Sequence, residues 1–213
     1  MKIGFIGTGN VGGALAKSLG AKGHSIYLGA RDTSSEELKV LISEIGIQAS
    51  AHPIKDAVLR SDVVILATPW KISEELVRSL AEDLKGKILI DCTNPLKSDL
   101  SGLEVGHTNS GAEIIQAAAP HSKIFKAFNT TGFNIMEAPV LESKKAVMFF
   151  CGNDQESRHI VQDLIRDVGF ESIDAGPLST ARLLEPYALL WISSAYKFGQ
   201  GRDFAFSIVR RKN

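Results

Sequence analysis

Residues 2–32 read KIGFIGTGNVGGALAKSLGAKGHSIYLGARD, and the order of residue types along this stretch decides the architecture. Residues 2–6 form an apolar run of strand character. Gly7-Thr8-Gly9-Asn10-Val11-Gly12 follows and matches the pattern G-x-G-x-x-G. Over 10–22 the apolar positions take helical spacing, with Val11, Ala14, Leu15 and Leu19 on one face and Gly23 at the C-terminal cap. Residues 25–29 return to strand character. Strand, glycine turn, helix and second strand form the context in which each glycine has its own duty. Gly7 permits the tight turn, Gly9 lets a pyrophosphate approach the backbone, and Gly12 lets helix and strand pack closely. The free amides and positive end of the helix then face a diphosphate, with Thr8 and Asn10 adding side-chain donors. This is the Rossmann dinucleotide-binding fingerprint.

The alternation continues downstream. Helical patterns at 34–45, 54–60, 73–84, 110–118 and 154–168 alternate with strand patterns at 48–51, 62–67, 87–91, 123–128, 146–151 and 170–174, with a polar loop at 96–106. The 62–67 run is almost wholly apolar, as strands covered on both faces are. Together these predict an α/β fold: a Rossmann-type, doubly wound, mostly parallel sheet with a small C-terminal helical element. The alternation stops near residue 175. The chain therefore divides into a Rossmann NAD(P)-binding domain over 1–175 and a small helical segment over 176–213, whose apolar helix runs from Ser179 to about Phe198.

The end of the second strand selects the cofactor. An acid there suits the ribose 2′-hydroxyl of NAD, and a cation suits the 2′-phosphate of NADP. Here Gly29-Ala30-Arg31-Asp32 places Arg31 at the tip, where its guanidinium can grip the phosphate and stack on adenine. Solvation of Asp32, one residue later, leaves NADP preferred. Three further clusters follow successive strands: Thr68-Pro69-Trp70, Thr93-Asn94-Pro95 and Phe128-Asn129-Thr130-Thr131-Gly132. Ligands of open α/β sheets bind beyond the carboxyl ends of the strands. These hydroxyls and amides are thus expected to position ribose and nicotinamide, with Trp70 as a flat wall. No Tyr-x-x-x-Lys set is present and no catalytic residue is assigned. Hydride transfer between two stacked rings needs placement above all.

The totals exclude other classes. The chain has 213 residues, 44% hydrophobic and 23% charged, with 24 basic and 24 acidic side chains, an ordinary globular composition. That balance gives no reason to expect a nucleic acid or a membrane surface as partner. Nothing approaches a span of about 20 apolar residues. Cys92 and Cys151 read as buried free thiols of a cytoplasmic protein, and no metal-site spacing occurs. The basic tail Arg210-Arg211-Lys212 reads as a solvated end. A homodimer or higher homo-oligomer is expected; the final helix either covers the sheet or forms a dimer seam.

With these motifs in place the chain resembles the NADP oxidoreductases that use the deazaflavin coenzyme F420, and also the reductase domain of the STEAP metalloreductases. The resemblance runs nearly end to end. It includes the glycine loop, Gly29-Ala30-Arg31, Thr68-Pro69-Trp70, Ala127-Phe128-Asn129-Thr130, Cys151-Gly152-Asn153-Asp154 and Asp174-Ala175-Gly176-Pro177-Leu178-Ser179, then Arg182, Leu183 and Glu185. It implies hydride exchange between NADPH and a flavin-like ring, coenzyme F420 or FMN/FAD, as the small-molecule redox acceptor. By position, Thr8 to Val11 would hold the diphosphate, and Ala30 with Arg31 the 2′-phosphate. Thr68, Ile72 and Asn94 would flank the nicotinamide half. Asn129, Phe133 and the stretch from Gly201 to Phe204 would line the acceptor site. Two departures stand out. Ala30 replaces the family's serine, and Asn129-Thr130 stands where the deazaflavin enzymes tend to carry His-Thr, leaving deazaflavin and flavin both open. Two other readings accompany this one: a reductase of a small carbonyl or imine, and an NADP-binding regulator without turnover.

Overall fold

Strand β1 (Lys2–Ile6) is buried from Ile3 onward and leads into a backbone reversal at Gly7, whose φ of 102° lies in the left-handed region. Helix α1 (Asn10–Gly20) follows and buries Ala14, Leu15 and Leu19 on the face that the sequence spacing marked. In this computed structural model, which describes residues 1–211, the alternation then runs on. It comprises β2 (Ser25–Ala30), α2 (Glu36–Ile45), β3 (Ala49–Pro53), α3 (Ile54–Leu59), β4 (Val63–Leu66), α4 (Trp70–Ser79), β5 (Ile88–Asp91) and α5 (Gly111–Ala118). Next come β6 (Lys123–Lys126), α6 (Phe133–Glu137), a hairpin of β7 (Val140–Leu141) and β8 (Lys144–Lys145), then β9 (Val147–Gly152), α7 (Arg158–Val168) and β10 (Glu171–Asp174). A 3₁₀ turn (Leu178–Thr180) leads into α8 (Ala181–Tyr196).

Eight strands form one sheet in the order β10-β9-β6-β5-β4-β1-β2-β3. Strands β1 to β6 are mutually parallel and read 3-2-1-4-5-6 from β3, the doubly wound order whose direction reverses between β1 and β4. β9 joins β6 antiparallel and β10 runs parallel to β9. The carboxyl ends of β1, β2, β4, β5 and β6 therefore share one edge. The family-like turns at Asn153 and Gly176-Pro177 follow β9 and β10 and fall at the opposite edge.

Side-chain alternation along the central strands builds two cores. Val63 and Ile65 of β4 join one cluster with α1, α2 and α7; Val64 and Leu66 join the other with α4, α5 and α8. Each fully buried Ile, Leu or Phe contributes about 1.5–3 kcal/mol, so a sheet covered on both faces is the favourable packing. Among the described residues no helix is long and apolar enough to cross a membrane.

Several boundaries differ from the sequence reading. The helix expected over 73–84 begins three residues earlier: Pro69, which has no N–H to satisfy, stands at the N-cap, and Ser73 lies a full turn inside. It ends at Ser79, where short-range turns at Leu80 and Ala81 take over. Helix α6 and the β7–β8 hairpin had no sequence signal strong enough to be read. Arg210 pairs with Glu171 at 2.5 Å. Lys212, the last residue of the basic tail, lies outside the described residues.

Candidate functional site

A groove of about 1300 Å³ opens at the carboxyl edge of the sheet, over the point between β1 and β4 where strand order reverses. The run from Gly7 to Val11 forms its floor, the β2 tip from Gly29 to Asp32 one side, and Ala67 to Pro69 the other. Two glycines are required by close approach. A Cβ on Gly7 would lie 2.5 Å from the Ala67 carbonyl oxygen, and one on Gly12 2.0 Å from the Gly7 carbonyl oxygen. Gly9 is different: a Cβ there meets nothing within 4 Å. Its missing side chain leaves room for a ligand rather than for the protein. Gly9 is also the N-cap of α1, which has neither a side-chain cap nor an acid in its first turn. The leading amides of α1 and the positive end of its dipole thus face the open groove, and this fits a dinucleotide's diphosphate.

Ala30 and Arg31 line the groove at the end of β2. Arg31 is exposed and makes no salt bridge with any described residue. Asp32 is engaged elsewhere. Its carboxylate accepts hydrogen bonds from the Ser34 hydroxyl at 2.6 Å and the Ser34 amide at 2.8 Å. Those bonds hold its carboxyl below the usual range, so the charge belongs to the 32–35 turn.

A second cavity of about 390 Å³ shares Val11, Ala67, Thr68 and Pro69 with the groove and extends it toward β5. Trp70, Thr93 and Asn94 line it, as the sequence reading placed them, and Ile72 lines the groove. Pro95 does not line it; its carbonyl accepts the Glu104 amide at 2.7 Å and anchors the following loop. Leu96, Lys97, Ser98 and Leu100 of that loop, together with Cys92, form lining that the sequence reading missed. A polar loop has no periodicity to mark it as a wall. Burial pushes the Cys92 thiol well up, so it stands there protonated.

Asn129, Phe133, Gly201 and Phe204, expected from the sequence at the acceptor site, line neither space. The Asn94 side-chain NH₂ donates to the Asn129 backbone carbonyl at 2.9 Å, and the Asn94 Oδ1 accepts from the Asn129 side-chain NH₂ at 3.0 Å. Asn129 is buried, so it supports Asn94. Phe133 lies under the Arg202 guanidinium, 4.4 Å from it. Phe204 stacks on Trp191 at 5.3 Å, and the Trp191 indole donates to the Phe204 carbonyl at 3.0 Å. Gly201 is exposed in the same segment. Phe128, ahead of Asn129, is buried with a φ of 60°, strain that a strand tip at a ligand site can carry. Tyr187 packs against Phe149 and Phe206, and burial pushes its hydroxyl up to about 12.

Beneath the second cavity lies a charge cluster of which the sequence reading had singled out only Glu185, and not as one of a pair. Lys126, Asp91 and Glu185 are all fully buried. The Lys126 ammonium lies 2.9 Å from Asp91 and 2.9 Å from Glu185, and donates to the Thr93 carbonyl at 2.5 Å. Asp91 accepts from the Thr93 amide at 2.8 Å and hydroxyl at 2.7 Å. Glu185 accepts from the Gly111 and Ala112 amides at 2.9 and 3.1 Å, where the positive end of α5 favours a carboxylate. Burial alone would push Lys126 down, but the two carboxylates outweigh it and hold the ammonium above its ordinary value. The cluster fixes Thr93, and with it Asn94, at the mouth of the cavity. The signal in the sequence was slight: Lys126 closes a four-residue strand that also begins with a lysine, and Glu185, which belongs to the stretch carrying the family resemblance, shows no partner until the fold brings Lys126 to it.

Residues 2–95 match the family described as NADP oxidoreductase coenzyme F420-dependent. The chain is 31% identical to the F420-dependent NADP reductase of Methanocaldococcus jannaschii, over 93% of this chain and 94% of that one. It is 28% identical to metalloreductase STEAP3 of Rattus norvegicus, over 91% of this chain and 37% of that larger protein. A crystal structure from Arthrobacter sp. FB24, named as a candidate F420-dependent NADP-reductase, superposes with a TM-score of 0.87 at 30% identity, over 99% of this chain and 100% of that one.

Lys126→Met leaves two carboxylates buried without their cation and is expected to cost about 3–5 kcal/mol in urea denaturation. Adding Asp91→Asn and Glu185→Gln to it should recover part of that loss. A single variant within about 1 kcal/mol of the parent would show that the ammonium does not hold the pair.

Proposed function

The chain belongs to the F420-dependent NADP oxidoreductase family, and on that footing we propose that it moves a hydride between NADP(H) and coenzyme F420. The observation that carries the reading is the uncapped start of α1, open to a long groove with Arg31, unpaired among the described residues, at one end and a second cavity at the other. The α1 amides hold the diphosphate, and Arg31 with Ala30 takes the 2′-phosphate. Thr68, Pro69, Trp70, Ile72 and Asn94 flank the nicotinamide half. Bound NADPH supplies the hydride. The chain itself binds, orients and excludes water, since transfer between two stacked rings calls for placement rather than an acid or base.

The acceptor ring lies beyond the second cavity, against Asn129, Phe133, Gly201 and Phe204. On this reading the segment over 176–213 completes the acceptor site. The enzyme works in the cytoplasm as a homodimer or higher homo-oligomer, a state supported by the exposed Leu183, Leu190 and Phe198 at and just beyond α8.

Anaerobic mixing of NADPH with F420, FMN, FAD or a small imine tests the acceptor. Rapid oxidation by F420 is expected. Oxidation by the imine alone, or by a flavin alone, contradicts the F420 reading, and binding without oxidation by any acceptor marks a regulator. Arg31→Ala should weaken NADPH by about 1.5–3 kcal/mol, the worth of a bond to a charged group. That is roughly 10- to 150-fold in Kd. NADH should change little, and equal losses for both cofactors would remove Arg31 from the phosphate site.

A further inference from the structure

Thr68 follows β4 at the junction of the two cavities, and Ser73 stands one turn into α4, fully buried. Their hydroxyl oxygens are 2.8 Å apart, and the Ser73 oxygen is also 3.0 Å from the Pro69 carbonyl oxygen. A hydroxyl carries one proton and two lone pairs, and a carbonyl only accepts. Both contacts are hydrogen bonds in one arrangement alone: Ser73 donates to Pro69, and Thr68 donates to Ser73. The reverse would face two acceptor oxygens at 3.0 Å in a site closed to solvent, which is costly. The Thr68 proton is thereby committed inward, and the half-buried hydroxyl turns only lone pairs toward the cleft.

We infer that Ser73 is a positioning residue that makes Thr68 an obligate hydrogen-bond acceptor, so that a bound dinucleotide is recognised there through an N–H or O–H that it donates. Two groups on the nicotinamide side have that chemistry, the carboxamide NH₂ and the ribose hydroxyls. Phosphate oxygens have none, and Thr68 rejects them. The groove thus has a direction: donors at the start of α1 take the diphosphate, and an acceptor at the β4 tip takes the sugar-amide end. This rests on the reading of the cleft as a dinucleotide site.

The test is a double-variant cycle read by NADPH titration. Ser73→Ala should raise the Kd about three- to tenfold, the worth of one ordinary hydrogen bond. Thr68→Val should do at least as much, and adding Ser73→Ala to Thr68→Val should change nothing further, because Ser73 acts only through Thr68. Adenosine 2′,5′-bisphosphate, which lacks the nicotinamide half, should bind Ser73→Ala as it binds the parent. Ser73→Cys, similar in shape but a weak partner, serves if the alanine variant fails to fold. An unchanged NADPH Kd, losses that multiply in the double variant, or a parallel loss of the bisphosphate would overturn the assignment. A parent protein that bound no NADPH would remove the cleft reading and the inference with it. The 3-acetylpyridine analogue of NADPH lacks the carboxamide N–H and separates the two sources. A Ser73→Ala penalty that vanishes with the analogue assigns the carboxamide, one that persists assigns a ribose hydroxyl, and both sustain the obligate acceptor.

Discussion

The backbone approach at the end of β1 governs what the rest of the structure can do. Gly7 lies so near the Ala67 carbonyl, and Gly12 so near the Gly7 carbonyl, that a methyl group at either place would collide with main chain. Helix α1 is consequently seated hard against the turn, with its first residues projecting over the sheet edge rather than under a covering loop. A helix start left without a cap has amides that want partners, and water or a ligand must supply them. The tight packing and the anion-binding end are two results of the same glycines. Gly9 adds the third part, an open position where a side chain would occupy the ligand's own space.

A second constraint acts on the far half of the groove. The Lys126 ammonium joins β5, β6 and α8, and Glu185 carries the link on to the start of α5. Buried ion pairs are weak contributors to net stability, since desolvation offsets most of the attraction. Their value here is geometric. The cluster sets Thr93, Asn94 follows, and the paired amides of Asn94 and Asn129 tie the tips of two strands together. Asn94 is thus held against the cavity wall by a chain of contacts that starts from the buried Lys126.

The first third of the fold was legible because its signals are local. Helical spacing from Val11 to Leu19 and the Gly7, Gly9 and Gly12 positions each depend on neighbours a few residues away, and the structure places them as expected. The strand-tip clusters were legible from topology: parallel strands put Thr68, Trp70 and Asn94 at one edge. What stayed hidden depends on distant partners. Glu185 was marked by the resemblance alone, and its pairing with Lys126 emerges only when the fold joins them. Ser73 was read as the first residue of its helix, whereas the helix starts at Trp70 and encloses it. The loop from Leu96 to Leu100 forms a wall of the second cavity although its composition reads as solvent-facing.

The central claim is that the open start of α1 takes a dinucleotide's diphosphate at Gly9. Titration of Gly9→Ala with NADPH, beside a thermal melt of the same sample, tests it most directly. The added methyl meets no protein atom within 4 Å, so the melt should match the parent, while the methyl occupies the diphosphate's path and affinity should fall at least about tenfold, 1.4 kcal/mol or more. A variant that melts like the parent and binds NADPH equally well would contradict the account.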